Sequence, residues 1–233
     1  MLARRPRLAG GLLVAFALLA LAASLDGAHL LLVVDRPIGT WAVAHRSPLA
    51  TALFRRLTFF GSSPATYGGG ALLALLALPR CPRTAALVAV GTAVRPLVEY
   101  AVKLPVDRRR PDVDPNIVQH GPSFPSGHVL GSSMLFFLAA TVFALYVSSR
   151  AWRRVAAVLG VLGVVLVGVS RVYLAYHWTT DVLGGLLGGA LLTGGLDVLL
   201  RRWHAGRPCL PDAAGAPRAT TEEVMTVASA GVR

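Results

Sequence analysis

The sequence predicts an all-α, polytopic membrane protein: a six-transmembrane-helix bundle whose polar motifs meet at the extracytoplasmic ends of the helices. Three observations carry this. The 233-residue chain is 55% hydrophobic and only 15% charged, against about 25% charged in soluble domains. Its apolar residues gather into uncharged runs that approach or exceed the roughly 17 to 25 residues needed to cross a bilayer core. Its basic residues lie between those runs, and thirteen of the 23 fall in alternate connections, the bias that keeps Lys and Arg on the cytoplasmic side.

Residues 1–7, with Arg4, Arg5 and Arg7, form a cytoplasmic N-terminus, and 8–25 the first span. The same stretch has the make-up of a secretory signal, with Ala20-Leu21-Ala22 as a cleavage site; the later spans keep their orientation either way. Residues 26–56 form the first outer connection. Within it, 29–34 is too short to span, and 40–54 (TWAVAHRSPLATALF) mixes apolar and polar positions as a helix lying at the interface does. No site is expected there. Spans follow at 57–79, at 84–102 with Arg95 and Glu99 inside it, and at 128–149, 155–170 and 179–200. Gly68 to Gly70 in the second span, and Gly184, Gly185, Gly188, Gly189, Gly194 and Gly195 in the sixth, suit close helix packing. Residues 201–233 form a cytoplasmic tail expected to be disordered. Cys81 and Cys209 fall on the cytoplasmic side, where thiols stay reduced and no disulfide is expected.

The net charge of +12 does not imply a nucleic-acid partner. Such proteins gather cations on a soluble face, often with stacking aromatics, whereas here the cations punctuate apolar runs. Nine of them lie in the outer connections, four in one loop, which calls for a reason other than topology. That loop, KLPVDRRRPDVDPNIVQHGPSFPSGHV, joins spans 3 and 4 and holds Lys103, Arg108 to Arg110, three aspartates, two histidines and five prolines. The prolines rule out a long helix. The connection between spans 5 and 6, SRVYLAYHWTTD, opens on the same membrane face.

Lys103 is the chain's one lysine; a compact ammonium suits one phosphoryl oxygen, while the planar forks of Arg110 and Arg171 suit two. Alternatively, any one of these arginines contacts lipid head groups. Ser126-Gly127 stands at the start of span 4, where free N–H groups and the helix dipole attract an anion and a glycine allows close approach. Read alone, it is also a simple turn and cap. His177 and Asp181 are four apart, so a carboxylate can hold the imidazole Nδ1–H and leave Nε2 as nucleophile or base; alone, the pair also serves as a polar anchor. Arg171 is six residues before His177, so the chain must bend between them. Together, two histidines, three cations and a helix N-terminus describe phosphoryl transfer: one histidine attacks phosphorus, the other protonates the leaving alkoxide, and the cations offset charge. A magnesium site would need clustered carboxylates. Asp107, Asp112 and Asp114 lack partners at ligand spacing and are expected to shape turns or balance Arg108 and Arg109.

Lys103 with six residues before Arg110-Pro111, then Pro125-Ser126-Gly127-His128, then Ser170-Arg171 with five residues before His177 and three before Asp181, resembles the three-part signature of the type 2 phosphatidic acid phosphatase superfamily, the lipid phosphate phosphatases. The resemblance covers roughly residues 8–200 and implies one six-span phosphatase domain there, in the plasma membrane, with an extracytoplasmic active site. It implies that His177 is the nucleophile, Asp181 its orienting partner, and His128 the general acid and later the base. Lys103, Arg110, Arg171, Ser126 and Gly127 would form the phosphate cradle. No metal and no cofactor are implied. The substrate would be a lipid phosphate or pyrophosphate of the bilayer, such as phosphatidic acid, diacylglycerol pyrophosphate, phosphatidylglycerol phosphate or undecaprenyl pyrophosphate. Two alternatives stand beside hydrolysis: a phosphotransferase discharging the same phosphohistidine to a lipid or sugar hydroxyl, and a non-catalytic transporter. One expectation lies outside the motifs. Arg95, Glu99 and Lys103 are spaced i, i+4, i+8 on one helical face, and Glu99 is expected to position Lys103 from behind.

Overall fold

The computed structural model describes residues 6–25 and 30–204. These form eight α-helices in chain order: α1 (Pro6–Ser24), α2 (Leu32–Ala44), α3 (Pro48–Leu57), α4 (Ser63–Ala77), α5 (Pro82–Val106), α6 (Gly127–Tyr146), α7 (Arg150–Tyr173) and α8 (Thr179–His204), with a 3-10 turn, Thr58–Gly61, between α3 and α4. The expected tail beyond residue 204 and the first five residues lie outside the described part.

Five helices, α1, α5, α6, α7 and α8, are long and apolar enough to cross a membrane. The expected span at 57–79 is divided into the 3-10 turn and α4, which has only 15 residues. The cause is local. Ser62 takes extended backbone, its Oγ accepts from Ala65 N at 3.5 Å, and a proline stands in the first turn, so a new helix starts there. The interfacial helix expected over 40–54 is likewise two helices. Ser47 Oγ accepts from Ala50 N at 3.2 Å and Pro48 opens α3, which ends α2 at Ala44. The two helices are tied to the bundle rather than laid loosely on it: Arg46 Nε donates to Tyr173 O at 2.8 Å and Ser47 N to Tyr173 Oη at 2.8 Å.

α6 is the central helix, packed against α4, α5, α7 and α8. Leu87 and Val88 of α5, Met134, Leu138 and Val142 of α6, Ala77 of α4 and Leu196 of α8 close the core toward the end of the bundle away from the polar loops. Apolar residues also cover the outside: Leu159, Val161 and Leu162 of α7 and Leu13 and Leu18 of α1 are exposed, a surface suited to lipid. In lipid, helices associate through close backbone approach. A Cβ at Gly184 would come 2.3 Å from the Phe124 ring, and one at Gly185 3.0 Å from Ser126 O, so these glycines bring the start of α8 against the start of α6.

At the opposite end, Cys81 is fully buried, caps α5 by accepting from Thr84 N at 3.4 Å, and is disulfide-bonded. This corrects the expectation of a reduced thiol, which rested on compartment alone; sulfur pairing requires proximity, and sequence does not report it. The other cysteine, Cys209, lies outside the described residues.

Candidate active site

Lys103 sits in the last turn of α5, and the chain leaves that helix through Asp107, whose left-handed backbone (φ 41°) caps it with an N–H bond to Lys103 O. The predicted ladder is formed. Glu99 holds Lys103 Nζ at 2.9 Å through Oε1 and Arg95 Nη1 at 2.7 Å through Oε2, all three side chains being buried. Arg95 Nη1 also lies 3.4 Å from Gly127 O. A Cβ at position 127 would come 2.1 Å from Glu99 Oε1. The glycine therefore makes room for a carboxylate at the head of α6.

Arg110 pins the loop. Its Nε donates to Gly121 O at 3.0 Å and His120 O at 3.2 Å, and its Nη1 to Tyr176 O at 3.0 Å. Burial lowers its pKa from the usual arginine value, opposed by the charges of Asp181 and Glu99. Tyr176 belongs to the turn between α7 and α8, where Ala175 takes φ 57° and the N–H groups of Tyr176 and His177 both donate to Arg171 O, at 3.0 and 3.3 Å. This is the bend that the Arg171–His177 spacing requires. α8 begins at Thr179, so His177 stands just ahead of the helix, and Asp181 reaches back to it. Asp181 Oδ2 lies 3.4 Å from His177 Nδ1 and accepts from Trp178 N at 2.9 Å. The longer contact is beyond ordinary hydrogen-bond length, and Nδ1 has no hydrogen-bond partner; such contacts commonly tighten only when substrate is bound. Burial first, then the charges of Arg171, Arg110 and Lys103, push the His177 pKa well below the usual 6.5 and favour the uncharged imidazole.

Arg171 donates from Nη1 to Thr58 Oγ1 at 3.0 Å and its guanidinium carbon lies 4.3 Å from the centre of the Tyr176 ring. Ser126 is the N-cap residue of α6, fully buried, yet its hydroxyl does not cap the helix. Ser126 Oγ and Arg171 Nε are thus, like His177 Nδ1, among six buried polar side-chain atoms left without partners among the described residues, which is unusual for native interiors. Ser126 N donates to Asp181 O at 3.0 Å, locking the head of α6 to α8. His128, one residue into α6, is within electrostatic range of Arg171, His177, Lys103 and Arg95, and its backbone packs on the 3-10 turn: a Cβ at Gly61 would meet His128 O at 2.4 Å. The fold brings the three motifs together, with Glu99 behind Lys103.

Three residues emerge that the motifs do not contain. Arg108 donates from Nη1 to Asp181 Oδ1 at 2.7 Å and Thr180 Oγ1 at 2.6 Å, and from Nη2 to Asp35 Oδ2 at 2.8 Å. Asp35 in turn accepts from Thr180 N at 2.9 Å and from the Thr180 hydroxyl at 2.5 Å. Arg108, Asp35, Thr180 and Asp181 are all buried. This corrects two expectations. The outer connection, where no site was expected, contributes Asp35; and Arg108 is balanced by Asp35 and Asp181, not by the loop aspartates. Of those, Asp112 pairs with Arg36 at 2.9 Å, Asp114 pairs with Arg46, and Asp107 shapes the turn after α5. A signal was present: Asp35 interrupts the apolar string LLLVVDRPIG, and an ionisable residue in such a setting is a functional candidate.

Among the described residues, no group of three His, Cys, Asp or Glu side chains is assembled in a way that could hold a metal ion. The chain is 35% identical over 113 residues to phosphatidylglycerophosphatase B of Bacillus subtilis, a match covering 46% of this chain and 55% of that protein. Thus it spans about half the length of that relative. It is 35% identical over 71 residues to undecaprenyl-diphosphatase of Sulfolobus acidocaldarius, covering 30% of each. A crystal structure of a transmembrane PAP2-type phosphatidylglycerolphosphate phosphatase from Bacillus subtilis matches with a TM-score of 0.72 at 26% identity, over 83% of this chain and 96% of that one. The profile of the PAP2 superfamily matches residues 84–204, more than half of the chain and the stretch that carries all three motifs; this protein is a member of that superfamily.

Proposed function

We propose that the protein is a membrane phosphatase that hydrolyses lipid phosphates or pyrophosphates, without a metal, through a phosphohistidine. The observation that carries this reading is the buried His177, with Asp181 beside its Nδ1 and three cations in electrostatic range. In the first step Nε2 of His177 attacks phosphorus, the P–O bond to the lipid oxygen breaks, and His128 gives that oxygen a proton. In the second, His128 takes a proton from water, the water oxygen bonds to phosphorus, and the P–N bond breaks to release inorganic phosphate and restore His177. The developing charge is met by Lys103, Arg110 and Arg171. The unpartnered Ser126 Oγ and Arg171 Nε supply donors that an added oxyanion would satisfy, and Gly127 N–H adds the head of α6. With substrate bound, Asp181 would close on Nδ1–H and stabilise the positive ring formed on phosphorylation.

The orientation belongs to the same proposal. The 3-10 turn and α4 together complete a sixth crossing, residues 8–200 form one domain in the plasma membrane, both termini face the cytoplasm, and the site faces outward. The apolar exterior brings a lipid's phosphate to the height of the loops. The named activities of the relatives make phosphatidylglycerol phosphate and undecaprenyl pyrophosphate the first substrates to try, beside phosphatidic acid and diacylglycerol pyrophosphate. Purified protein in detergent with EDTA should release phosphate from at least one of these. His177→Ala should lower turnover by several orders of magnitude, as loss of a nucleophile does; wild-type turnover in that variant would exclude the mechanism.

A further inference from the structure

The geometry points to Asp35 and Arg108 as positioning residues for the nucleophile: Arg108 anchors Asp181 against His177, and Asp35 supplies the second carboxylate that keeps net negative charge behind the imidazole. The inference rests on His177 being the nucleophile proposed above.

Asp181 uses Oδ1 for Arg108 and Oδ2 for Trp178 N and the His177 side. Its carboxylate is therefore held at both oxygens, and its plane is fixed by a guanidinium that is itself held by Asp35. Thr180, next to Asp181, bonds Asp35 through both its N–H and its hydroxyl, so α2, the 107–126 loop and α8 share one buried joint. The charge count matters as much as the geometry. Arg108 alone would cancel Asp181, and a neutral pair behind His177 would do little for a ring that becomes positive on phosphorylation. With Asp35 present, two carboxylates share one guanidinium, and over these described residues one formal negative charge remains. In so dry a setting that charge is weakly screened. The surrounding groups are mostly positive: Lys103, Arg110 and Arg171 act on His177, so the negative group opposes them.

The test uses the purified full-length protein in detergent with a short-chain lipid phosphate. Asp35→Asn keeps shape and an acceptor for Thr180 N but removes one charge. Its kcat should fall about 10- to 100-fold, the usual loss on removing a group that orients a working histidine. Affinity for vanadate, which would bond to Nε2 in a five-coordinate, transition-state-like form, should fall in parallel. KM and inhibition by inorganic phosphate, which needs only the cradle, should change less than about twofold. Arg108→Gln should be slower than Asp35→Asn, because it leaves two buried carboxylates facing each other. Adding Asp35→Asn to it should raise turnover again. The same substitution then harms one background and helps the other, which a purely structural joint would not produce. The double variant restores one formal negative charge, on Asp181, and so gives a second measurement if Asp35→Asn alone fails to fold. The inference is overturned if Asp35→Asn keeps wild-type kcat, if phosphate inhibition is lost as much as turnover, or if Asp35→Asn slows both backgrounds. His177→Ala, run alongside, separates the two ideas: wild-type turnover there removes the nucleophile reading itself, whatever Asp35 does.

Discussion

Two buried ion groups flank the candidate site, and they have opposite composition. In Arg95, Glu99 and Lys103, one carboxylate stands between two cations; in Asp35, Arg108 and Asp181, one guanidinium stands between two carboxylates. Buried charges are tolerated only when paired and hydrogen-bonded, and among the described residues each group pairs its charges while leaving one formal charge over. The surplus is positive on the side of Lys103, where an anion would bind, and negative on the side of His177, where a cation would form. Pairing and the proposed chemistry would thus be served by the same three-membered arrangement, used twice with the signs exchanged.

The sharpest way to break this comparison is Asp181→Asn. It removes the negative surplus and the acceptor at Nδ1 together, and turnover should drop by about 10⁴-fold, as when the carboxylate of a catalytic triad is neutralised. A loss under tenfold would mean that His177 does not depend on this carboxylate. Glu99→Gln probes the positive group. With Lys103 no longer held, inhibition by phosphate and KM should worsen about 10- to 100-fold, and unchanged values would remove Glu99 from the site. Gly127→Ala acts through the same carboxylate, because its Cβ would fall 2.1 Å from Glu99 Oε1. We expect about a tenfold loss, little added to by Glu99→Gln, since residues in contact are not additive; fully multiplicative losses would separate the two positions.

The next effect is on pH. Burial and the cations Arg171, Arg110 and Lys103 lower the His177 pKa from 6.5, and His128 and Asp181 face it as well. A base with a lowered pKa stays unprotonated as pH falls through the usual value. The acid limb of kcat/KM, corrected for substrate ionisation, should therefore lie below pH 6.5, and a limb at or above it would contradict this. The smallest effect is expected away from both groups. Arg36 and Asp112 form an exposed pair, and Arg36→Ala should change unfolding stability by less than about 1 kcal/mol with turnover intact.

Much of this was legible in the chain itself. The long apolar helices follow from composition and length, and the three motifs carry Lys103, Arg110, Ser126, His128, Arg171, His177 and Asp181 at spacings that need no structure to notice. Glu99 was legible for the same reason, since i, i+4, i+8 is a helical period. The break at Ser62 was missed because hydropathy averages across it, although Ser followed closely by Pro is a start signal. Asp35 was missed because an acidic residue in a short, mixed connection has no periodic partner.

What the sequence by itself determined is therefore everything local: which segments are apolar enough to enter a membrane, which residue types sit within one helical turn of each other, and which loops carry charge. The pairing of those charges came from the packing of the helices. Arg108 lies 73 residues from Asp35 and Thr180 lies 145 from it, and nothing in their order says that they meet. The reason is physical. Helix formation is decided over a few residues, whereas a buried ion must find whichever opposite charge the packing brings near it. In this protein close approach of α8 to α6, permitted by Gly184 and Gly185, sets Asp181 where Arg108 and His177 can both reach it.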